Sequence, residues 1–378
     1  MRDGPIEDRE HSRRDLLRGL GAGMLAGTLV SDVATAQDAP KRKLGYAIVG
    51  LGGYATRQIM PRLKDCEHAR LTALVSGTPE KLDRYGAEYG IPKTHRYSYR
   101  DYDRIRDNPD IDIVYVVLPN SMHAEYSIRA SQAGKHVLCE KPMAVSAAEC
   151  EAMVAAARKA GRKLMIGYRS WFEPYNQQAI KLVRDGFVGE PRLITSEHGF
   201  NAQPNQWRLD RRMSGGGSMM DIGIYSLQAA RYLSGEEPIE VSAMESTDRN
   251  DPRFRTVEDR IDWQMRFPSG AIANCVSSYS SGHNAYRVTG TEGWVGLEPA
   301  TSYEGQRMWV RREGKTEERT LPAPAKNQFV GQLDHFALSA MTGREPIVPG
   351  EEGLRDLRLI EAIYRSARER RAVRVGGG

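Results

Sequence analysis

The chain has 378 residues, a net charge of +5, 40% hydrophobic and 27% charged residues. That length suits two domains rather than one core, and the composition excludes a disordered or collagen-like chain. No run of about 18 apolar residues reads as a membrane span, and no fixed-period repeat suggests a solenoid. The cations are scattered, apart from a short run over 365–374 that reads as a solvated helix end, so no nucleic-acid footprint emerges.

From the N-terminus, Ser12-Arg13-Arg14-Asp15-Leu16-Leu17 precedes an uncharged, weakly hydrophobic segment over 19–31, which ends at Ala34-Thr35-Ala36. Paired arginines, a short apolar stretch and an Ala-x-Ala site predict a twin-arginine export signal over 1–36, cleaved after Ala36. The route carries folded proteins, so it suits a protein that acquires a cofactor before export to the periplasm. It also fits the cysteines: Cys66, Cys139, Cys150 and Cys275 have neither metal-site nor Cys-x-x-Cys spacing, and no disulfide framework or metal is expected.

After a short arm over 37–43, Leu44-Gly45-Tyr46-Ala47-Ile48-Val49 reads as a buried strand that runs into Gly50-Leu51-Gly52-Gly53-Tyr54-Ala55. In this G-x-G-x-x-A pattern Gly50 permits a tight turn, Gly52 a close backbone approach to a pyrophosphate, and Ala55 close helix–strand packing. A helix over 54–63 would aim its N-terminal amides at phosphates. The second strand, 70–75, ends in Ser76-Gly77, where an NAD-specific fold places a carboxylate. Serine can donate to a 2′-phosphate that a carboxylate would repel, and Lys81 can add charge, so NADP is expected. Strands over 111–118, 135–139 and 163–167 then alternate with helices over 124–133 and 147–160. Such alternation implies a doubly wound parallel sheet with its ligands at the strands' carboxyl ends, where Asn120, His123, Glu140 and Lys141 fall.

Beyond residue 169 the pattern changes. A helix over 174–187 is followed by strands near 193–199, 239–244, 260–267, 271–278, 286–289 and 308–311, separated by short turns. They predict a mostly antiparallel open sheet, with a terminal helix over 351–370 that packs back on the first domain. The expected organisation is α/β: an N-terminal Rossmann domain over 44–168 and a C-terminal α+β domain over 169–378.

Leu118-Pro119-Asn120-Ser121, Cys139-Glu140-Lys141-Pro142-Met143, Leu164-Met165-Ile166-Gly167-Tyr168-Arg169 and Asp221-Ile222-Gly223-Ile224-Tyr225 together resemble the family of glucose–fructose oxidoreductase and inositol dehydrogenase. The likeness spans about Leu44 to Val373. Most members carry histidine where Tyr225 stands; tyrosine there marks the glucose–fructose branch. The resemblance implies a catalytic set of Lys141, Asp221 and Tyr225. Its cofactor set comprises Gly50, Gly52, Gly53, Tyr54, Ala55, Ser76, Gly77, Lys81, Tyr99, Leu118, Asn120, His123, Glu140, Lys141, Arg169, Trp207 and Arg208. It also implies a cis Lys141-Pro142 bond and a homodimer built on the open sheet face. The long proline-rich arm of glucose–fructose oxidoreductase has only residues 37–43 as its counterpart.

The chemistry follows from the residues. Oxidising a sugar at its anomeric carbon removes a hydride and a proton; Tyr225 can handle the proton if the ammonium of Lys141 favours its phenolate. Asp221, four residues earlier, faces the same side of one helix and can orient sugar hydroxyls or Lys141. The expected function is an exported NADP-dependent sugar oxidoreductase with a tightly bound cofactor. It would oxidise an aldose to a lactone and reduce a second monosaccharide to an alditol by a ping-pong route. The alternatives are a conventional dehydrogenase with exchangeable NADP and a catalytically silent sugar-binding protein. No nucleic acid and, after export, no membrane is expected as a partner.

Overall fold

The computed structural model describes residues 42–322 and 327–375. The expected export signal, its cleavage site and all but the end of the arm lie outside the described residues. Six short strands come first: β1 (Leu44–Val49), β2 (Ala69–Val75), β3 (Arg96–Tyr97), β4 (Ile113–Val116), β5 (His136–Glu140) and β6 (Leu164–Gly167). They form a parallel sheet in the order β3-β2-β1-β4-β5-β6. All six residues of β1 are buried, as a strand covered on both faces requires. The order reverses between β1 and β4, and a ligand crevice opens at such a switch point.

Crossovers on this sheet include α1 (Pro79–Glu88), α2 (Asn120–Gln132) and α3 (Ala147–Lys159). Ser146 caps α3 by accepting from Glu149 N at 3.3 Å, and Glu149 reaches back to Val145 N at 3.2 Å. The helix expected over 54–63 is not a regular α-helix. It winds as a wide π-type turn, Ala55–Ile59, and then as a tight 3-10 stretch, Met60–Asp65, with Pro61 near the start of the latter.

Nine strands make the second sheet: β7 (Pro191–Gly199), β8 (Glu240–Ser246), β9 (Arg260–Arg266), β10 (Ile272–Ser278), β11 (His283–Gly290), β12 (Gly293–Leu297), β13 (Met308–Arg312), β14 (Lys315–Arg319) and β15 (Val373–Arg374). Their order is β14-β13-β12-β11-β7-β10-β9-β8-β15; β7 and β10 run parallel and the other neighbours antiparallel. The architecture is α/β, with a Rossmann sheet followed by a mixed, mostly antiparallel one. β12, β14 and the two-residue strands β3 and β15 went unforeseen. β12 carries two glycines in five residues, and β14, Lys-Thr-Glu-Glu-Arg, has no apolar side chain to mark it.

β9 shows why one face is covered and the other open: Ile261, Trp263 and Met265 are buried, while Arg260, Gln264 and Arg266 are exposed. Against the buried face lie α4 (Pro174–Arg184) and α6 (Ile224–Ser234). The helix α7 (Gln328–Thr342) follows, and then α8 (Gly350–Glu369), which touches both α3 and β8. The described residues cluster as one compact unit, with a continuous hydrophobic core under both sheets. Among the described residues no helix is long and apolar enough to cross a membrane, and no group of three or more His, Cys, Asp or Glu could hold a metal ion.

Candidate active site

A cleft of about 930 Å³ opens over the carboxyl ends of β1, β2, β4 and β5. Every site residue singled out from the sequence lines it except His123.

The glycine turn forms one end. Gly50 sits at φ +96°, and a Cβ there would meet the Val117 carbonyl oxygen at 2.3 Å, so only glycine fits. Around Gly52 a Cβ would meet nothing within 4 Å; this glycine leaves open space on the cleft wall where a ligand can approach the backbone. Such a turn, followed by helical amides, suits the pyrophosphate of a dinucleotide. At the end of β2, Ser76 Oγ accepts from Thr78 N at 3.1 Å, which leaves its own O–H to donate. Lys81 on α1 reaches the same wall, and no carboxylate from the β2 end does so. A Cβ on Gly77 would strike the Tyr99 ring at 2.8 Å, so Gly77 provides the seat on which that ring lies.

The other end is polar and charged. Lys141 follows β5, and its bond to Pro142 is cis. Its ammonium donates to the main-chain carbonyl of Asp221, lies 3.3 Å from Asp221 Oδ1, and stands 4.8 Å from the centre of the Tyr225 ring. Asp221 Oδ2 is 3.1 Å from Arg208 Nε and accepts the Tyr279 hydroxyl at 3.1 Å. Burial alone would raise the Asp221 carboxyl, but Arg208 and Lys141 outweigh it and hold it at about 2. Asp221 lies in a π-type turn, Met219–Gly223, that runs directly into α6 and Tyr225. The widened turn replaces the single α-helix expected over both residues, yet both side chains still reach the cleft. The turn is pinned from behind by buried Glu258, which accepts from Gly217 N at 2.8 Å and Met219 N at 3.0 Å.

Arg169 is buried and committed. It donates to the Thr301 carbonyl at 2.7 Å and to Gln328 Oε1 at 2.8 Å, and its guanidinium lies 5.0 Å from the Tyr225 ring and 4.7 Å from that of Tyr303. It therefore latches the 301–303 loop over the cleft beside Tyr225. Arg208 also stacks on Trp207, 4.5 Å from its ring centre. Glu140 is buried beneath Lys141, accepts the Tyr115 hydroxyl, and is raised by burial. Asn120 donates to the Ser214 carbonyl at 2.8 Å, tying the first helix after β4 to the segment before Asp221.

His123 is the residue that the structure does not bring to the cleft. It is 1% exposed, and its ring nitrogens lie 2.9 Å from the Pro142 carbonyl oxygen and 2.8 Å from that of Leu118. Its position on the inner side of α2 lets it brace the Leu118 and Lys141-Pro142 turns from behind. Sequence reasoning missed Tyr279, Thr301 and Tyr303. Tyr279 stands one residue past β10, the kind of strand-end position where ligands bind; nothing in the local sequence marks Thr301 or Tyr303.

A model of the oxidoreductase family with a NAD-binding Rossmann fold matches residues 44–168, and one of the same family's C-terminal alpha/beta domain matches 180–375. The structure is similar to that of aldose-aldose oxidoreductase from Caulobacter crescentus complexed with glycerol. Identity is 64% and the TM-score 0.87, covering 88% of this chain and 100% of that one. A D-xylose 1-dehydrogenase [NADP(+)] of Haloarcula marismortui is 32% identical over 90% of this chain and 95% of its own. The 3-ketoreductase KijD10 of Actinomadura kijaniata, in complex with NADP and TDP-benzene, is 26% identical with a TM-score of 0.76, over 86% and 98% of the two chains.

Proposed function

The chain belongs to the GFO/IDH/MocA oxidoreductase family, and from that premise we propose that it is an NADP-dependent sugar oxidoreductase. It oxidises an aldose to its lactone and hands the reducing equivalent to a second monosaccharide, which leaves as the alditol. The observation that carries this reading is the meeting of Lys141, Asp221 and Tyr225 at one end of a cleft whose other end is the glycine turn. The aldose-aldose oxidoreductase relative supports the sugar-to-sugar form.

NADP held along the Gly50–Ala55 turn and the Ser76 and Lys81 wall would supply a hydride acceptor for the anomeric carbon and, once reduced, a hydride donor for a second sugar. Residues of the chain do the rest. The anomeric O–H must lose its proton as the C–H pair departs, and Asp221, held at about 2, stays an acceptor at neutral pH. The proton therefore goes to the Tyr225 oxygen, beside whose ring Lys141 and Arg169 stand at 4.8 and 5.0 Å. Asp221, fixed by Arg208, Lys141 and Tyr279, accepts from sugar hydroxyls and sets the ring's orientation. In the second half-reaction Tyr225 gives the proton to the oxygen of the carbonyl whose carbon receives the hydride, so the cycle closes without a net proton.

NADP over NAD rests on the Ser76 and Lys81 wall and the absence of a carboxylate there, with NADP named for two relatives. Tight cofactor binding, periplasmic export by the 1–36 signal and a homodimer built on the open sheet face complete the proposal. Export and tight binding belong together, because a self-regenerating enzyme needs no nucleotide pool. The D-xylose dehydrogenase likeness favours a second reading, in which NADP exchanges freely. Denaturing extensively washed mature protein decides between them. About one NADP(H) per chain, with parallel double-reciprocal plots for two sugars, supports the first; nucleotide-free protein with intersecting plots against added NADP supports the second. Mature protein starting near Gln37 and a dimer by light scattering are the expected companions; another start or a monomer at micromolar concentration would remove those parts.

A further inference from the structure

A second pocket, of about 420 Å³, lies on the reverse side of the segments that carry Lys141 and Asp221. Its apolar floor includes Val145, four residues after Lys141, and Met220, which precedes Asp221. The two segments touch there: a Cβ on Gly215 would lie 2.8 Å from Val145 and 3.1 Å from Met220. The walls carry Arg211, Arg365 and Arg368, none of which makes an ion pair among the described residues. Arg211 faces the ring of Tyr364, at 5.7 Å. Glu361, one helical turn before Arg365, does not neutralise it; its Oε1 instead accepts the Ala147 amide at 2.8 Å. Arg358, on the same rim, is already paired with Glu151 at 2.9 Å.

Three exposed guanidiniums without a carboxylate partner among the described residues thus rim one concave site, and their forks of N–H donors match the oxygens of a multivalent anion. We propose that this pocket is a regulatory site for a small multivalent oxyanion, a phosphate ester or a polycarboxylate, that acts on the catalytic cluster.

The route to the cluster is a chain of contacts. Tyr364, in the pocket wall, donates to Glu258 Oε1 at 2.7 Å. Glu258 holds Gly217 N and Met219 N, and its own carbonyl accepts from Ser218 N at 3.4 Å. A Cβ on Gly217 would come within 2.0 Å of that carbonyl, so the Glu258 backbone and the segment that leads into the turn are in direct contact. The turn ends in Asp221, whose carboxylate meets Lys141 and Arg208. An anion that draws Arg211 and Arg365 inward changes the packing around Tyr364 and, through Glu258, the placing of Asp221. The pocket is distinct from the catalytic cleft, and this chain of named contacts is the link through which an anion would act.

The regulatory part rests on the sugar oxidoreductase reading; the binding part does not. Calorimetric titration of the NADP-saturated enzyme at low salt, with pyrophosphate and separately with citrate, keeps the probe off the glycine turn. One saturable site per chain for at least one probe is expected, weakened at least tenfold in the R365Q/R368Q double variant. Saturating probe is expected to change kcat/KM for the sugar at least twofold in the native enzyme and not in that variant, whose activity without probe stays native. Tyr364→Phe is expected to keep the binding and lose the response. No saturable binding by either probe, or equal binding by the double variant, overturns the site. Binding with no kinetic effect, or an unaltered response in Tyr364→Phe, overturns its regulatory role. Failure of the underlying reading shows separately, as no sugar turnover in the untreated enzyme.

Discussion

Two cations face the Tyr225 ring, Lys141 at 4.8 Å and Arg169 at 5.0 Å, while the neighbouring carboxylate Asp221 is itself matched by Arg208. Charge thus fixes the carboxylate: an anion with two cationic partners keeps its charge, which leaves the proposed proton transfer to the Tyr225 hydroxyl. Tyr225→Phe removes the proton carrier and little else, since the ring stays to pack against His198, 5.9 Å away. The expected result is a kcat lower by about 10²–10⁴, with nucleotide content and melting temperature near native. A loss under about tenfold would move the acid–base role to another group. Asp221→Asn is a different lesion. It keeps the shape but leaves Lys141 and Arg208 facing a neutral amide, so KM for the sugar is expected to rise along with the fall in kcat, a split that Tyr225→Phe should not show. The placing of Lys141, Asp221 and Tyr225 at the cleft was legible because each sits in a motif. The partners that fix them, Tyr279 and Arg169's acceptors at Thr301 and Gln328, come from distant segments that only the fold brings together.

The elements show the same division. The strand–glycine turn is written locally: six apolar residues, a turn that only glycine can make, and alternation thereafter, all short-range signals. Hence the Rossmann sheet could be read from the sequence almost strand by strand. The helix after the turn could not be read in detail, because its winding, wide and then tight, is set by packing against the sheet rather than by propensity. The first two glycines of the turn, Gly50 and Gly52, separate fold from binding. Gly50→Ala forces a Cβ against the Val117 carbonyl at a positive φ, and is expected to cost about 2 kcal/mol or more of stability. Gly52→Val meets no protein atom and is expected to melt normally while losing nucleotide. Nucleotide retained by Gly52→Val would show that the turn is not the phosphate seat, and equal melting temperatures for the two variants would show that Gly50 is not what holds the turn's shape. β14 stayed illegible for the opposite reason: an all-polar edge strand is specified by its partner β13, not by its own residues.

Across the whole molecule, the two sheets share a core in which several titratable groups are buried, and acid acts on them in opposite directions. Burial lowers His198 to about 3, with Arg169 adding to the effect, and lowers His136 to about 4. His136 Nδ1 also accepts the Lys163 amide at 3.0 Å, a bond that protonation would break. Both histidines bind a proton more readily when unfolded, so their contribution is fully present above about pH 6.5 and drains away as pH falls. Glu140, Glu258 and Asp356 are raised by burial, Asp356 to about 6, and favour the folded state as pH falls through the same window. The net curve is a balance, so a single histidine is best isolated by difference. His198 bonds Ser226 Oγ at 2.8 Å and is fully buried between β7 and α6, so His198→Gln is expected to be less stable at pH 7.5. On moving to pH 5 the native protein loses the His198 contribution and the variant has none to lose. The stability gap should then narrow by roughly 2 kcal/mol, at about 1.4 kcal/mol per pH unit below 6.5. Denaturant unfolding of both proteins at the two pH values measures it, and a gap that stays constant would mean that His198 takes up its proton equally in the folded and unfolded states.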